Sequence, residues 1–238
     1  MTTLVLVHGA YAGSSSWDGV VGPLLARGHS IVSFANPLRG VQSDAALLSD
    51  LVRSIEGPVV LVGHSYGGAV MTAVETRAGH VTALVYVAGF ALETGESAAD
   101  ASALAPGSTL GDTLTTVPLS DGTTDTWIAH EKYHHQFCAD LSDEQAALMA
   151  VNQRPVTAEA LNEPLAGEPL WRSAPSWFLF GELDRNIPAG AHHRMAARAD
   201  ARRTVEVPGA SHVVGISHPA ETVEIIQAAV DAHALADA

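Results

Sequence analysis

Short apolar, β-branched runs alternate along this chain with longer stretches of helical periodicity. TLVLV (3–7), IVSFA (31–35), PVVLVG (58–63), VTALVYVAG (81–89), SWFLFG (176–181) and RTVEVPG (203–209) read as strands. Several are apolar at successive positions, as in a parallel sheet covered on both faces. Between them, SDAALLSDLVRSIEG (43–57) places Leu47, Leu48, Leu51, Val52 and Ile55 at helical spacing, with Ser43 as N-cap and Gly57 as stop. HPAETVEIIQAAVDAHA (218–234) carries Pro219 in its first turn and Val223, Ile226 and Val230 on one stripe. This alternation predicts an α/β fold built on a doubly wound, mostly parallel sheet. The rhythm lapses between residues 92 and 174, where small and polar residues lead into helix-like pieces and no strand is expected. The expected organisation is a core of residues 1–91 and 175–238 with a helical lid, 92–174, inserted into it.

Composition narrows the partners. Twelve Lys and Arg against 26 Asp and Glu leave a net charge of −14. Such a field repels phosphate backbones and anionic lipid, so neither a nucleic-acid nor a membrane partner is expected. Cys138 is the single cysteine, which rules out an internal disulfide and a cysteine-rich zinc site. The opening MTTLVLVHGA has no basic leader, and no run approaches the ~20 apolar residues of a membrane span. The expectation is a soluble cytoplasmic protein, monomeric or homodimeric, acting on a small molecule.

Two stretches compete for the chemistry. His130-Glu131-Lys132-Tyr133-His134 fits H-E-x-x-H, which on a helix presents two zinc ligands and a general base. Asp140 falls ten residues after His130, where a third ligand could stand. Against this, Phe137 occupies the position at which the longer protease motif needs a turning glycine, and the stretch is too polar for a buried metal helix. The plainer reading is a lid helix in which Trp127, His130, Tyr133, His134 and Phe137 line a substrate pocket, with no metal.

The rival is Gly63-His64-Ser65-Tyr66-Gly67, which follows a strand directly and leads into helix-forming residues. G-x-S-x-G in that setting is a sharp turn that lifts the serine hydroxyl out at the C-terminal edge of a sheet. The helix behind it aims its first amides at the same point. A glycine-rich turn with an incidental serine is the alternative. A serine nucleophile needs a base, and the base needs an orienting acid. His212 follows the last strand and Asp184 the strand before it, giving the order Ser65, Asp184, His212. Glu93, after the strand at 81–89, is a second candidate acid.

These residues give the chain a resemblance to the α/β-hydrolase fold family over nearly its full length. LVHGAYAG resembles that family's His-Gly oxyanion motif. The resemblance implies that the amides of Ala10 and Tyr66 form an oxyanion hole, with Tyr11 and Val213 beside the pocket and His8 structural. The spacing of VHGAYAGSSSWDGVVGPLLARGHSIVSFANPLRG resembles the methylesterase and hydroxynitrile lyase branch and small bacterial esterases. The lyases of that branch carry a lysine beside the catalytic histidine. Here Val213 stands there and no lysine follows Lys132. The implied activity is cofactor-free hydrolysis of a small or aromatic carboxylic ester. Lyase, perhydrolase or acyltransferase chemistry on the same triad, a non-catalytic receptor and a zinc protease are the alternatives.

Overall fold

The computed structural model describes residues 2–236. The strands run β1 (Thr3–Val7), β2 (Ser30–Phe34), β3 (Pro58–His64), β4 (His80–Val87), β5 (Leu114–Pro118), β6 (Thr124–Ile128), β7 (Val156–Thr157), β8 (Ser176–Gly181) and β9 (Arg203–Val207). Six of them form one all-parallel sheet in the order β2-β1-β3-β4-β8-β9. The doubly wound sheet read from the sequence is therefore present, and each of its six strands lies on a run identified above. In β1 and β8 every residue is buried, which is why their apolar pattern is continuous and not alternating.

The helices are α1 (Asp18–Ala26), α2 (Val41–Arg53), α3 (Tyr66–Thr72), α4 (Ala98–Ser102), α5 (His130–Phe137), α6 (Asp143–Asn152), α7 (Ala158–Asn162), α8 (Ala189–Arg198), α9 (Val214–Ser217) and α10 (Pro219–Ala236). On the sheet, α10 lies against β3, β4 and β8, and α1 packs on α10; α3 lies against β3, α2 against α3, and α8 against β8. Among the described residues no helix is long and apolar enough to cross a membrane. The helix expected at 43–57 starts earlier, at Val41. Gly40 is the N-cap and Ser43 lies within the first turn, its hydroxyl donating to the Gly40 carbonyl. The helix also ends earlier, at Arg53 with Ser54 as its C-cap, and the expected stop, Gly57, lies beyond it in the connection to β3 with φ +90°.

The expectation of helices alone over 92–174 needs correction. A second, antiparallel sheet, β5-β6-β7, sits inside that segment. Its hairpin turns at Asp121-Gly122, where Gly122 takes φ +90° and the Leu119 amide donates to the Thr123 carbonyl at 2.8 Å. Asp-Gly between Thr-rich, alternating runs is a hairpin signal. The low apolar content of LTTVP and TDTWI obscured it. One consequence is that Trp127 belongs to a strand, partly exposed between buried Thr126 and Ile128.

Candidate active site

Strand β3 ends at His64, and Ser65 turns the chain into α3 with φ +51° and ψ −123°. A non-glycine residue in that region is strained, and the surrounding glycines show what the turn demands. A Cβ on Gly63 would stand 2.8 Å from the Gly67 carbonyl oxygen, and one on Gly67 only 2.2 Å from that of Val7. Gly9 faces the same elbow, where a Cβ would come within 2.7 Å of the Ser65 Cβ. The Ser65 amide donates to the Ala88 carbonyl at 3.1 Å, and the Ser65 carbonyl accepts from Gly68 and Phe90. The strained conformation is thus tied down on both sides. Ala10 and Tyr66 both border the cavity that Ser65 faces. Among the described residues no protein acceptor takes the amide hydrogen of either.

Two further strand ends complete the group. The loop after β8 carries Asp184, and the loop after the neighbouring β9 carries His212. Both side chains are fully buried, with His212 Nδ1 2.7 Å from Asp184 Oδ2. A carboxylate only accepts, so Nδ1 carries the hydrogen and Nε2 is the bare nitrogen. Nε2 is buried and has no hydrogen-bond partner among the described residues. Asp184 Oδ1 accepts the amides of Asn186 and Ile187 at 2.8 and 2.9 Å. Burial pushes the Asp184 carboxyl up, but His212 and the hydrogen bonds pull it down further, leaving it well below the ordinary carboxylate range. It stays ionised. Glu93, the other candidate acid, instead forms a two-point pair with Arg172 at 2.8 Å and makes no contact with His212. A tight contact holds the two loops together: a Cβ on Gly181 would meet the Ala210 carbonyl at 2.3 Å.

Three other histidines support the group. His8 Nδ1–H donates to the Gly9 carbonyl at 2.9 Å, and its Nε2 accepts from the Asn36 amide at 3.1 Å and from Arg154 at 3.0 Å. Amide and guanidinium can only donate, which fixes the neutral tautomer; burial lowers its pKa to about 4. This is the structural role expected of it. His64 was missed as a functional residue, although it stands at the first variable position of G-x-S-x-G. Its Nε2–H donates to the His212 carbonyl at 3.1 Å, and burial lowers its pKa to about 3. His192, one turn into α8, places Nε2 3.4 Å from Asp184 Oδ2 and carried no sequence signal.

The cavity at Ser65 measures about 270 Å³. Its walls come from the loop after β1 (Ala10, Tyr11), the elbow, Ala98 and Ser102 of α4, Leu161 of α7, and Asn186 and Ile187. Tyr11 is the one expected pocket residue found there with Ser65, Ala10 and Tyr66. Trp127, His130, Tyr133, His134, Phe137 and Val213 do not line it. The reason is the placement of α5. Its apolar side faces the interior behind the site, with Phe137 edge-on to His212 at 5.1 Å and the Tyr133 hydroxyl donating to the Tyr11 carbonyl at 2.7 Å. Tyr133 borders a separate hollow of about 490 Å³ that also touches Tyr11 and Arg154. Val213 is buried beside Trp17 and His64. His130 is exposed, and Trp127 lies half-buried on β6, outside the cavity at Ser65.

The H-E-x-x-H stretch assembles no ligand set. His134 Nε2–H donates to the Leu141 carbonyl at 2.9 Å and its Nδ1 lies 3.0 Å from Asp143. Asp140 accepts from the Ser211 hydroxyl. Among the described residues no three His, Cys, Asp or Glu side chains converge as metal ligands would.

Comparison with known proteins agrees with this architecture. Over 110 residues the chain is 33% identical to a carbendazim-hydrolyzing esterase of Nocardioides sp. (strain SG-4G), a match covering 41% of this chain and 46% of that protein. The match thus spans about half the length of that relative. A solved polyneuridine aldehyde esterase superposes with a TM-score of 0.79 at 19% identity, covering 97% of this chain and 98% of that one. A methylesterase from Arabidopsis gives 0.77 at 17% identity, covering 97% and 99%. Residues 4–225 match the family model directly, and the chain belongs to the alpha/beta hydrolase family.

Proposed function

We propose that this protein is a serine esterase that hydrolyses a compact, uncharged carboxylic ester through an acyl-enzyme. Ser65 Oγ attacks the acyl carbon while His212 Nε2 takes its proton, and Asp184 holds the imidazole in the tautomer that leaves Nε2 bare. The amides of Ala10 and Tyr66 stabilise the oxyanion of the tetrahedral intermediate. The alcohol then leaves with the proton from Nε2. Water attacks the acyl group, giving a proton to Nε2, which returns it to Ser65 as the acid departs. In this reading residues 92–174 act as a lid over the acyl site.

The observation that carries the reading is the buried His212–Asp184 pair, with its bare Nε2, on the strand edge that also bears the strained Ser65. The cavity residues supply no Lys, Arg, Asp or Glu, which favours a neutral substrate. At about 270 Å³ the cavity lies just below the usual ~300–1,000 Å³ of ligand sites, which favours a compact substrate. The names of the carbendazim-hydrolyzing esterase, the polyneuridine aldehyde esterase and the methylesterase support the same class. The test is turnover of p-nitrophenyl esters of rising acyl length. We expect short esters to be cleaved, Ser65→Ala to lose all turnover while keeping its circular dichroism, and a fluorophosphonate probe to label Ser65. Near wild-type turnover by folded Ser65→Ala, or labelling elsewhere, would overturn the proposal.

A further inference from the structure

Asp184 has two histidines against it, and the reaction above uses only one. Its Oδ1 takes two backbone amides, and its Oδ2 lies 2.7 Å from His212 Nδ1 and 3.4 Å from His192 Nε2. An ionised carboxylate offers about four lone-pair sites, so these four donors fill it. His192 is wholly buried, and its ring stacks on Phe180 of β8 with centroids 4.6 Å apart and planes 13° from parallel. That stack fixes the ring plane and leaves Nε2 facing the carboxylate. Nδ1 is buried without a hydrogen-bond partner among the described residues. As with His212, the acceptor-only carboxylate requires Nε2 to carry the hydrogen.

We propose that His192 is a positioning residue that donates its Nε2–H to Asp184 and so holds the carboxylate in line with His212 Nδ1. The proposal rests on the triad reading given above. Two backbone amides on Oδ1 and two ring N–H donors on Oδ2 fix the carboxylate from both ends, so losing one donor lets it turn away from His212 Nδ1. The groups facing His192 are Asp184, His212 and, from its own helix, His193. His193 is itself paired with Glu206 of β9 at 2.6 Å. Burial keeps His192 in its neutral form, so it contributes a dipole and no competing charge. A second cation on Asp184 would weaken the very interaction that stabilises His212 after proton transfer. A neutral donor avoids this.

His192→Phe keeps the ring on Phe180 and removes the donor; His192→Gln reaches with an amide nitrogen to the place of Nε2. We expect His192→Phe to remain folded and to lower kcat about fivefold with little change in KM, the size of one weak hydrogen bond to a charged group. His192→Gln should return kcat towards wild type. A His192→Phe kcat equal to wild type, a loss that falls on KM instead of kcat, or an equal loss in both variants would overturn the proposal. Should His192→Phe fail to fold, nitrogen-15 NMR of wild-type histidines decides: a neutral Nε2–H tautomer at His192 supports it and an Nδ1–H tautomer overturns it. Failure of the triad reading shows separately, as activity surviving in Ser65→Ala, and leaves the tautomer measurement intact.

Discussion

At the scale of single residues, burial and charge decide between like candidates. Asp184 and Glu93 are both carboxylates placed after strands of the same sheet. Asp184 is buried against His212, whereas Glu93 lies near the surface with its charge met by Arg172. Exposed pairs of that kind contribute ~0–1 kcal/mol, so losing one costs little. Asp184→Asn removes the acceptor that selects the His212 tautomer and should lower kcat on the order of 10⁴-fold. Glu93→Gln should stay within about twofold of wild type. Steady-state kinetics on one ester checks both, and the reverse ranking would reassign the acid.

Among the elements, α5 and the small sheet matter through the loop after β1, which carries the proposed oxyanion amide of Ala10. Tyr11 follows Ala10 with φ +57°, a conformation that a bulky residue keeps only under restraint. The restraint comes from segment 92–174. The Tyr11 amide donates to the Arg154 carbonyl at 2.9 Å, its hydroxyl bonds Thr126 of β6 at 2.9 Å, and its carbonyl accepts from Tyr133 of α5. Since Thr126 Oγ1 also donates to the Val156 carbonyl, Tyr11 is the donor to Thr126. Tyr133→Phe leaves the Tyr11 carbonyl unmet in the interior, at a cost of about 1–3 kcal/mol. We therefore expect a lowered urea midpoint together with reduced kcat, because Ala10 would lose its fixed position. Unchanged values of both would mean that α5 does not brace the loop. The helix that looked like a metal site is, in this account, a strut.

Over the whole molecule, buried neutral histidines couple stability to pH. His8 and His64 titrate near 6.5 when unfolded, but burial takes them to about 4 and about 3 in the fold. Between those values the unfolded chain binds protons that the folded chain does not, so stability falls as pH falls. The contribution of each is whole above pH 6.5. It is lost progressively down to about 4 for His8 and about 3 for His64. At about 1.4 kcal/mol per pKa unit each amounts to roughly 3–5 kcal/mol. Urea melts at pH 7 and pH 4.5 should therefore differ by several kcal/mol, and His64→Gln should flatten the curve. A stability that does not change across this range would contradict the burial of both rings.

Local patterns suffice wherever one strand or one turn carries the information. Continuous apolar runs follow from a sheet covered on both faces, and the elbow glycines follow from contacts a Cβ cannot make. The order Ser65, Asp184, His212 is legible because each residue stands just past a strand, and parallel strands bring such positions to one edge. The cavity walls are not legible this way. Trp127, His134 and Phe137 are the aromatic residues a reader would aim at Ser65, yet the docking of α5 and the pairing of β6 turn them elsewhere. Small residues of α4 and Leu161 of α7, with no chemical signature, stand at the cavity instead. His192 is another such case, eight residues from Asp184 along the chain and beside it in space. Which side of an element faces a site depends on long-range packing of surfaces that share no sequence pattern, and only the assembled tertiary structure resolves it.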